Sequence, residues 1–414
     1  MARIDAVVLG AGIVGTSVAL HLAKRSLSVA LVDRRAPGEE TSYGNAGVIE
    51  GNTIFPPVFP SDPSALLRVV LKRATEADYH LADLPRIAPW LLKFRAASAP
   101  ARLIETVHAM RPMFARALAE HEALLAEAGA TGYLRKRGWL KLYRSERGFA
   151  ALKSELALAD EFGIPYRLLT AEAALDLEPN LVPVFRRGVH WPRAASVTNP
   201  LAMTKAYAAR FAQLGGIVMR GNARSLRRSD GYWRIDAAEG PLDARQAVVA
   251  LGPFAPDLLE PLGIKLPLGI KRGYHQHYRP AGNATLTRPV LDAEIGYCLA
   301  PLEQGIRLTT GAEFAARDAP PTPAQLARLL PSANQLFPLG EPVERAPWMG
   351  SRPCFPDSRP VIGSAPRQTD LWLAYGHAHW GLTLGPATGR LLAEMMTGAT
   401  PFCDPTPYGA ERFG

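Results

Sequence analysis

Three glycines near the amino terminus have the spacing of a dinucleotide phosphate site. Gly10, Gly12 and Gly15 lie between an apolar run that predicts a strand and a stretch that predicts a helix. The first glycine permits a tight turn, the second lets backbone approach a pyrophosphate, and the third lets helix and strand pack closely. The N–H groups at the start of this helix, including those of Ile13 and Val14, would bind the phosphates.

An acidic residue completes this pattern at the end of the second apolar run. Asp33 follows Gly15 by eighteen residues and is followed by Arg34 and Arg35. Its carboxylate suits the diol of an adenosine ribose and would repel a 2′-phosphate. The βαβ unit therefore indicates FAD or NAD rather than NADP, and Asp33, Arg34 and Arg35 are predicted to lie at the adenosine end.

A second loop of small residues favours FAD over NAD. It spans residues 40–49, where an NAD-binding domain would continue with a crossover helix. Near the carboxyl terminus, residues 376–389 read as a strand, a glycine turn and a helix start, which would place a helix N-terminus at the edge of a flavin. The first loop supplies hydrogen-bonding or small residues that suit a flat ring: Thr41, Ser42, Asn45, Ala46 and Gly47.

These motifs, together with VVALG and SRPCFPDSRPVIG, resemble in their order the FAD-dependent D-amino acid oxidase/dehydrogenase family. The resemblance spans nearly the whole chain and is nearest to the bacterial D-amino acid dehydrogenases. It implies that Gly381, Leu382 and Thr383 form the turn at the flavin ring. We also place Gly252, at the end of a buried strand, among the cofactor contacts.

The same resemblance assigns the substrate carboxylate to Arg352, in Ser-Arg-Pro. A planar guanidinium grips a carboxylate with two parallel hydrogen bonds, although a structural ion pair is the alternative. Tyr297 lies where some family members carry a substrate-contacting tyrosine. His377 is predicted to hydrogen-bond near flavin or substrate, because no further residues complete a metal site around it.

Residues 271–278, KRGYHQHY, alternate as a strand does. Tyr274 therefore shares a face with Arg272, Gln276 and Tyr278, and His275 and His277 share the other. The tyrosine face would line a substrate pocket or form a half-exposed side of a sheet. We include Tyr274 with Arg352, Tyr297 and His377 in the predicted catalytic set.

Three residues depart from the pattern that the family dehydrogenases commonly show. Phe355 and Leu251 replace threonines, and Ser358 replaces a glycine. Some relatives tether flavin through a cysteine near Cys354, but the dehydrogenases fill this position with varied residues. We therefore predict FAD that is bound non-covalently.

The element pattern predicts an α/β protein with a discontinuous Rossmann-like FAD-binding domain. This domain would comprise residues 1–85, 190–260 and 345–414. Residues 86–189 and 261–344 would form a substrate domain built on a mixed or antiparallel sheet. Within the latter, GYLRKRGWLKLY (132–143) reads as a β-hairpin.

Composition excludes several classes of protein. The net charge of +9 comes from scattered residues without a long Lys/Arg block, which argues against nucleic-acid binding. Three distant cysteines argue against a disulfide framework or zinc site. No signal-peptide pattern or apolar run of spanning length stands out, so a cytoplasmic location is expected. The basic apolar segments SALLRVVLKR and PWLLKFRAA read as packing helices or as a peripheral contact with the inner face of the membrane.

The resulting hypothesis is FAD-dependent oxidative deamination of a D-amino acid, or oxidation of a cyclic D-imino acid such as a D-hydroxyproline. A hydride would pass from Cα to flavin N5. The alternatives are a glycine- or sarcosine-type oxidase that uses O₂, an NAD-dependent dehydrogenase, and a flavin-binding subunit of a larger complex. The electron acceptor, whether quinone, dye or O₂, stays open.

Overall fold

The computed structural model describes residues 3–51, 55–60 and 62–414. The helices in these ranges are α1 Ile13–Ala23, α2 Pro63–Val70, α3 Leu84–Ala97, α4 Pro100–Glu127, α5 Glu146–Ala150, α6 Lys153–Glu161, α7 Ala171–Leu177, α8 Pro200–Gln213, α9 Ala255–Leu259, α10 Ala324–Leu336 and α11 Gly381–Met396. None of these helices is both long enough and apolar enough to cross a membrane.

The strands of the same ranges are β1 Arg3–Leu9, β2 Val29–Asp33, β3 Val48–Ile49, β4 Ala77–Tyr79, β5 Leu134–Arg135, β6 Trp139–Tyr143, β7 Arg167–Thr170, β8 Arg187–Trp191, β9 Ala195–Val197, β10 Ile217–Arg220, β11 Arg227–Ser229, β12 Tyr232–Ala237, β13 Gly240–Val249, β14 Gly269–Pro280, β15 Val290–Asp292, β16 Tyr297–Leu302, β17 Gly305–Thr309, β18 Ala312–Phe314, β19 Leu339–Pro342, β20 Trp348–Cys354, β21 Val361–Ser364 and β22 Leu371–Tyr375.

The first sheet has a parallel centre in the order β10-β2-β1-β13-β22. Antiparallel strands β12 and β11 extend it beside β13, and β21 pairs with β22. This is the strand order of a Rossmann-like fold, with its topological switch point between β1 and β13. Ligands of such sheets bind outside the carboxyl ends of the strands, so the turn after β1 opens toward a binding crevice.

Helices α1 and α11 pack closely against each other beside this sheet. The approach is possible because α11 carries small residues at the contact. A Cβ atom added at Gly389 would lie 2.6 Å from the backbone of Ser17, and one at Gly385 would lie 3.0 Å from Ile13 Cγ1. The start of α11 is thereby held next to the start of α1, and both point toward the crevice.

The second sheet is mixed and mostly antiparallel. Its described strands run in the order β4-β18-β14-β17-β16-β15-β6-β8-β7, and β19 and β20 also pair with β14. Strand β20 carries Arg352 and is bonded into this sheet, although the predicted boundary at residue 345 groups it with the cofactor-binding segments. The α/β fold class with a second, mixed sheet is confirmed. The exact domain boundaries stay a prediction.

The hairpin predicted for residues 132–143 is wrong. Strand β5 pairs with β9 in a small third sheet, whereas β6 pairs with β8 and β15 in the second sheet. Gly138, between the two strands, approaches the carbonyl of Trp191 so closely that a Cβ would lie 2.4 Å from it. The two segments that the local pattern joins into a hairpin therefore pair with distant strands and not with each other.

Candidate active site

A cavity of about 1270 Å³ opens at the switch point of the first sheet and extends to the face of the second sheet. Ligand pockets are commonly about 300–1,000 Å³, so this space suits a dinucleotide together with a small second ligand. Thirteen predicted cofactor contacts line it: Gly10, Gly12, Ile13, Val14, Asp33, Arg34, Thr41, Ser42, Asn45, Ala46, Gly252, Gly381 and Leu382. Four other predicted contacts do not line it: Gly15, Gly47, Thr383 and the exposed Arg35.

The phosphate loop has the backbone geometry that its glycines predict. Gly10 adopts a φ of +104°, which other residues rarely tolerate. A Cβ at Gly15 would lie only 1.8 Å from the Gly10 carbonyl oxygen. Gly12 is the N-cap residue of α1 and offers no side chain to the free N–H groups of the helix. The first turn of α1 contains no acidic residue. The helix start can therefore accept a pyrophosphate.

The carboxylate of Asp33 lies at the carboxyl end of β2, beside this loop. Its Oδ2 accepts a hydrogen bond from the Ala11 N–H at 2.6 Å, and its Oδ1 accepts one from the Arg35 N–H at 3.0 Å. Arg34 and Arg35 direct their guanidinium groups to Glu40, at 2.6 and 3.2 Å. Asp33 is thus fixed by backbone donors at the place where an adenosine ribose would lie.

The loop of residues 40–49 connects the two sheets. The Thr41 hydroxyl donates to the Ser351 carbonyl at 3.1 Å, and the Asn45 amide donates to the His379 carbonyl at 3.4 Å. Gly47 has a φ of +77°, and a Cβ there would lie 2.4 Å from a carbonyl oxygen of β9. The loop is therefore held between β9, β20 and the turn before α11.

The start of α11 is bonded to this loop and to α4. The Thr383 hydroxyl donates to the Val48 carbonyl at 3.2 Å and accepts from the Glu50 N–H at 3.3 Å. His121, from α4, lies 2.8 Å from the Leu382 carbonyl, so its Nε2 must carry the proton that is donated. Burial lowers the pKa of His121 to about 4, which keeps it neutral.

Arg352 presents a guanidinium group to the cavity without a carboxylate partner among the described residues. Its Nη1 donates to the Gly311 carbonyl at 2.8 Å and its Nη2 to the Thr310 carbonyl at 3.3 Å. Gly273 makes room for the group, since a Cβ there would lie 2.4 Å from Nη2. Burial lowers the pKa of Arg352. The group is positioned by two backbone carbonyls and retains donors for an incoming carboxylate.

Lys271 is directly opposite Arg352 in the β14–β20 ladder and was missed by sequence reasoning. It lines the same cavity, and burial lowers its pKa. The alternation of KRGYHQHY contains the signal, because Lys271, Gly273 and His275 share the face opposite Tyr274. That face, rather than the tyrosine face, carries the cation beside Arg352.

The hydroxyl groups of both predicted tyrosines are bonded within the protein. The Tyr274 hydroxyl donates to Glu313 Oε2 at 2.8 Å and accepts from Arg272 Nη2 at 3.1 Å. The Tyr297 hydroxyl donates to the Ser332 carbonyl at 3.1 Å. The two residues contribute to the cavity lining, but neither hydroxyl is free in this arrangement. Their catalytic roles stay predictions.

Two residues of the cavity wall were not foreseen. Cys298, next to Tyr297, lies on the opposite face of β16, and burial together with the Glu50 carboxyl raises its thiol pKa to about 12. Burial raises the pKa of Glu50 to about 7, and Lys141 opposes this rise. Lys141 itself donates to Glu155 Oε1 at 2.6 Å. Glu50 directly follows the 40–49 loop, which was the available signal.

The two histidines of the C-terminal motif differ in their surroundings. His377 is buried, and its Nε2 lies 2.9 Å from the Thr388 hydroxyl. His379 lines the cavity, and its ring lies against that of Trp380 in a tilted arrangement, with centroids 4.4 Å apart. Burial lowers both pKa values to about 3, and nearby cations including Arg352 and Lys271 contribute at His379.

The departures from the family pattern have structural counterparts. Ser358 adopts a φ of +60°, the left-handed conformation that favours the glycine commonly found there. Phe355 is fully buried, and its ring stacks on Phe413 with centroids 5.0 Å apart. Gly376 touches this ring, since a Cβ there would lie 2.2 Å from it. The larger Phe355 is thus accommodated by local packing behind the cavity.

Comparison with known proteins identifies the class of this site. The DAO family model, described as FAD dependent oxidoreductase, matches residues 5–395. A D-amino acid dehydrogenase from Chromohalobacter salexigens is 30% identical over 415 residues, covering 98% of this chain and 99% of that protein. A D-amino-acid oxidase from Bradyrhizobium diazoefficiens is 29% identical over 416 residues, covering 98% of each.

Solved structures agree on the fold. Glycine oxidase from Geobacillus kaustophilus superposes with a TM-score of 0.75 at 23% identity, covering 99% of both chains. L-proline dehydrogenase from P. horikoshii gives a TM-score of 0.75 at 19% identity, covering 99% of this chain and 98% of that one. At these identities the likeness concerns architecture alone.

Proposed function

The chain belongs to the DAO family of FAD-dependent oxidoreductases, and from this premise we propose that it oxidises a D-α-amino acid or a cyclic D-imino acid at Cα. The family match selects FAD over the NAD alternative. The observation that carries the substrate assignment is Arg352, a half-buried guanidinium that faces the cavity with no described carboxylate beside it. The names of the full-length relatives support the D-configuration.

The residues of the first sheet fit the cofactor by shape and by hydrogen-bonding chemistry. The start of α1 would hold the pyrophosphate and Asp33 the ribose. The ring would lie on the 40–49 loop, with the uncapped start of α11 at its edge. FAD, when bound, accepts the hydride that leaves Cα.

The remaining steps belong to side chains of this protein. Arg352 fixes the carboxylate and so orients Cα–H toward the loop side of the cavity. Glu50, with a pKa near neutrality, takes the proton that the substrate ammonium must lose before oxidation. The product is an imino acid, which hydrolyses to a keto acid and ammonia or stays as a cyclic imine.

Anaerobic bleaching of the flavin absorbance tests this proposal. The purified yellow protein is mixed with a panel of D-amino acids, their L-enantiomers, glycine, sarcosine and D-hydroxyprolines. We expect D-substrates to bleach the flavin and their L-enantiomers to fail. Bleaching by glycine or sarcosine alone would favour the amine oxidase alternative. No bleaching by any compound would contradict the proposal and favour a non-catalytic flavin-binding subunit.

We further propose that α2 and α3 contact an anionic membrane surface, where a quinone could receive the electrons. Large apolar side chains in this region are unusually exposed: Leu67 57%, Val70 61%, Leu71 50%, Leu81 70% and Leu92 67%. Exposed cations accompany them: Arg68, Lys72, Arg73, Lys93 and Arg95. An apolar patch with surrounding cations is typical of helices that lie in a headgroup layer.

Vesicle sedimentation tests this contact. We expect the protein to bind phosphatidylglycerol vesicles more strongly than phosphatidylcholine vesicles, and Leu67→Glu with Val70→Glu to abolish binding without changing flavin reduction. Leu168→Glu, at another exposed leucine, is the control. Equal recovery of wild type and double variant with the lipid would reject the proposal.

A further inference from the structure

The strongest unexplained feature of the cavity is a pair of cations on adjacent strands. Lys271 and Arg352 are register partners in the antiparallel β14–β20 ladder, so their side chains leave the same face of the sheet. Like charges placed directly opposite each other in a ladder repel and destabilise the sheet. No ion pair joins either cation to a carboxylate of a described residue, and Arg352 bonds two backbone carbonyls instead. An anion from elsewhere would stabilise this arrangement.

Lys271 is the more unusual member of the pair. The residue is only 9% exposed, and its Nζ makes no hydrogen bond to a described residue. Aromatic rings surround it, with Nζ 4.0 Å from the Phe94 centroid and 5.3 Å from that of Trp90. These contacts stabilise a cation only modestly, and they leave three N–H donors without acceptors. An anion that completed the shell of this ammonium would offset the cost of burying its charge.

The same wall of the cavity offers little negative charge to neutralise the pair. Its other cation, Lys141, is bonded to Glu155. Glu50 is near Lys141 and Cys298, and the proposed function assigns it to the substrate amine. One substrate carboxylate would satisfy Arg352 and leave Lys271 unpaired.

We propose that the substrate carries a second anionic group, and that Lys271 binds it while Arg352 binds the α-carboxylate. The substrate class is therefore an acidic D-amino or D-imino acid, of the D-aspartate or D-glutamate type. This inference rests on the proposed function, because it names the substrate class for that same reaction.

Isosteric substrate pairs separate charge from size. The holoenzyme is reduced anaerobically with D-aspartate against D-asparagine, and with D-glutamate against D-glutamine. We expect kcat/KM for at least one acid to exceed that of its amide by about tenfold or more, since a buried ion pair is lost with the amide. If neutral D-amino acids bleach the flavin and the acids do not exceed their amides, this inference fails while the proposed function stands. If no amino acid bleaches it, the proposed function itself fails.

The variant Lys271→Met keeps the length and packing of the side chain but removes its charge. We expect it to lose the preference for acids. Its kcat/KM should fall by about tenfold or more for the acid and change by less than about threefold for the amide. Lys271→Arg should restore part of the preference. An equal fall for acid and amide would overturn the inference, because Lys271 would then support Arg352 or the cofactor only.

A binding measurement on the wild-type holoenzyme covers the case in which the methionine variant does not fold. Succinate and succinamate are titrated against the flavin spectrum, which needs no turnover. We expect succinate to bind at least about tenfold more tightly. Equal affinity of the two compounds would overturn the inference.

Discussion

Replacement of Arg352 by alanine is the sharpest test of how this site binds substrate. The guanidinium group is half-buried and held by the carbonyls of Gly311 and Thr310, so little ordering is needed when a carboxylate arrives. Two hydrogen bonds to a charged group contribute about 1.5–3 kcal/mol each. Their combined loss, about 3–6 kcal/mol, corresponds to a weakening of between about a hundredfold and about ten-thousandfold.

The assay is the dissociation constant for the substrate, obtained from the concentration dependence of anaerobic flavin reduction. Arg352→Ala should raise it by that factor while the flavin stays bound. The dissociation constant of Arg352→Lys should lie between those of the wild type and Arg352→Ala, because an ammonium cannot form the two parallel bonds. The matched control is Arg234→Ala, which removes a two-bond pair with Asp243 far along the first sheet and should leave the constant unchanged. A change below about threefold in Arg352→Ala would refute carboxylate binding by this group.

Three further predictions concern pH and backbone strain. Glu50→Gln should flatten the change of the flavin reduction rate between pH 6 and 8, because the pKa of Glu50 is about 7; an unaltered profile would exclude Glu50 as the proton acceptor. His121 is neutral in the folded protein with a pKa of about 4, against 6.5 in the unfolded chain, so its stabilising contribution is present above pH 6.5 and is lost as pH falls toward 4. His121→Gln should therefore recover about 2 kcal/mol of the unfolding free energy that is lost between pH 6.5 and 5, measured by urea denaturation at both values. Ser358→Gly should raise the free energy of unfolding by about 0.5–1 kcal/mol, since relief of a left-handed residue exceeds the added freedom of the unfolded chain, whereas Ser358→Ala should not.

The local sequence was sufficient to predict structural features that lie within one segment of the chain. The βαβ unit with Gly10, Gly12 and Gly15 could be read directly, because backbone φ values and close approaches are properties of single residues and near neighbours. The hairpin at 132–143 failed for the opposite reason, since both of its strands pair with distant partners.

The substrate side of the cavity depended on contacts that local patterns do not contain. Side chains of a strand alternate, so a shift of one residue moves every group to the other face. Tyr297 was predicted from its place in the family pattern, yet its hydroxyl bonds Ser332 while neighbouring Cys298 interacts with Glu50. In the same way, Tyr274 was the residue of KRGYHQHY that was placed in the predicted catalytic set, whereas the structure places Lys271 beside Arg352.

The sequence by itself determined the cofactor class and the Rossmann-like unit, because each is encoded in short motifs with their own backbone requirements, and it predicted Arg352 as the arginine for the carboxylate. Only the tertiary structure decided which faces of β14, β16 and β20 meet the cavity. That choice depends on the register between strands far apart in the chain, and on glycines such as Gly273 that let a distant guanidinium fit. The pairing of two cations at one site is the consequence of that register, and it is the feature that points to an acidic substrate.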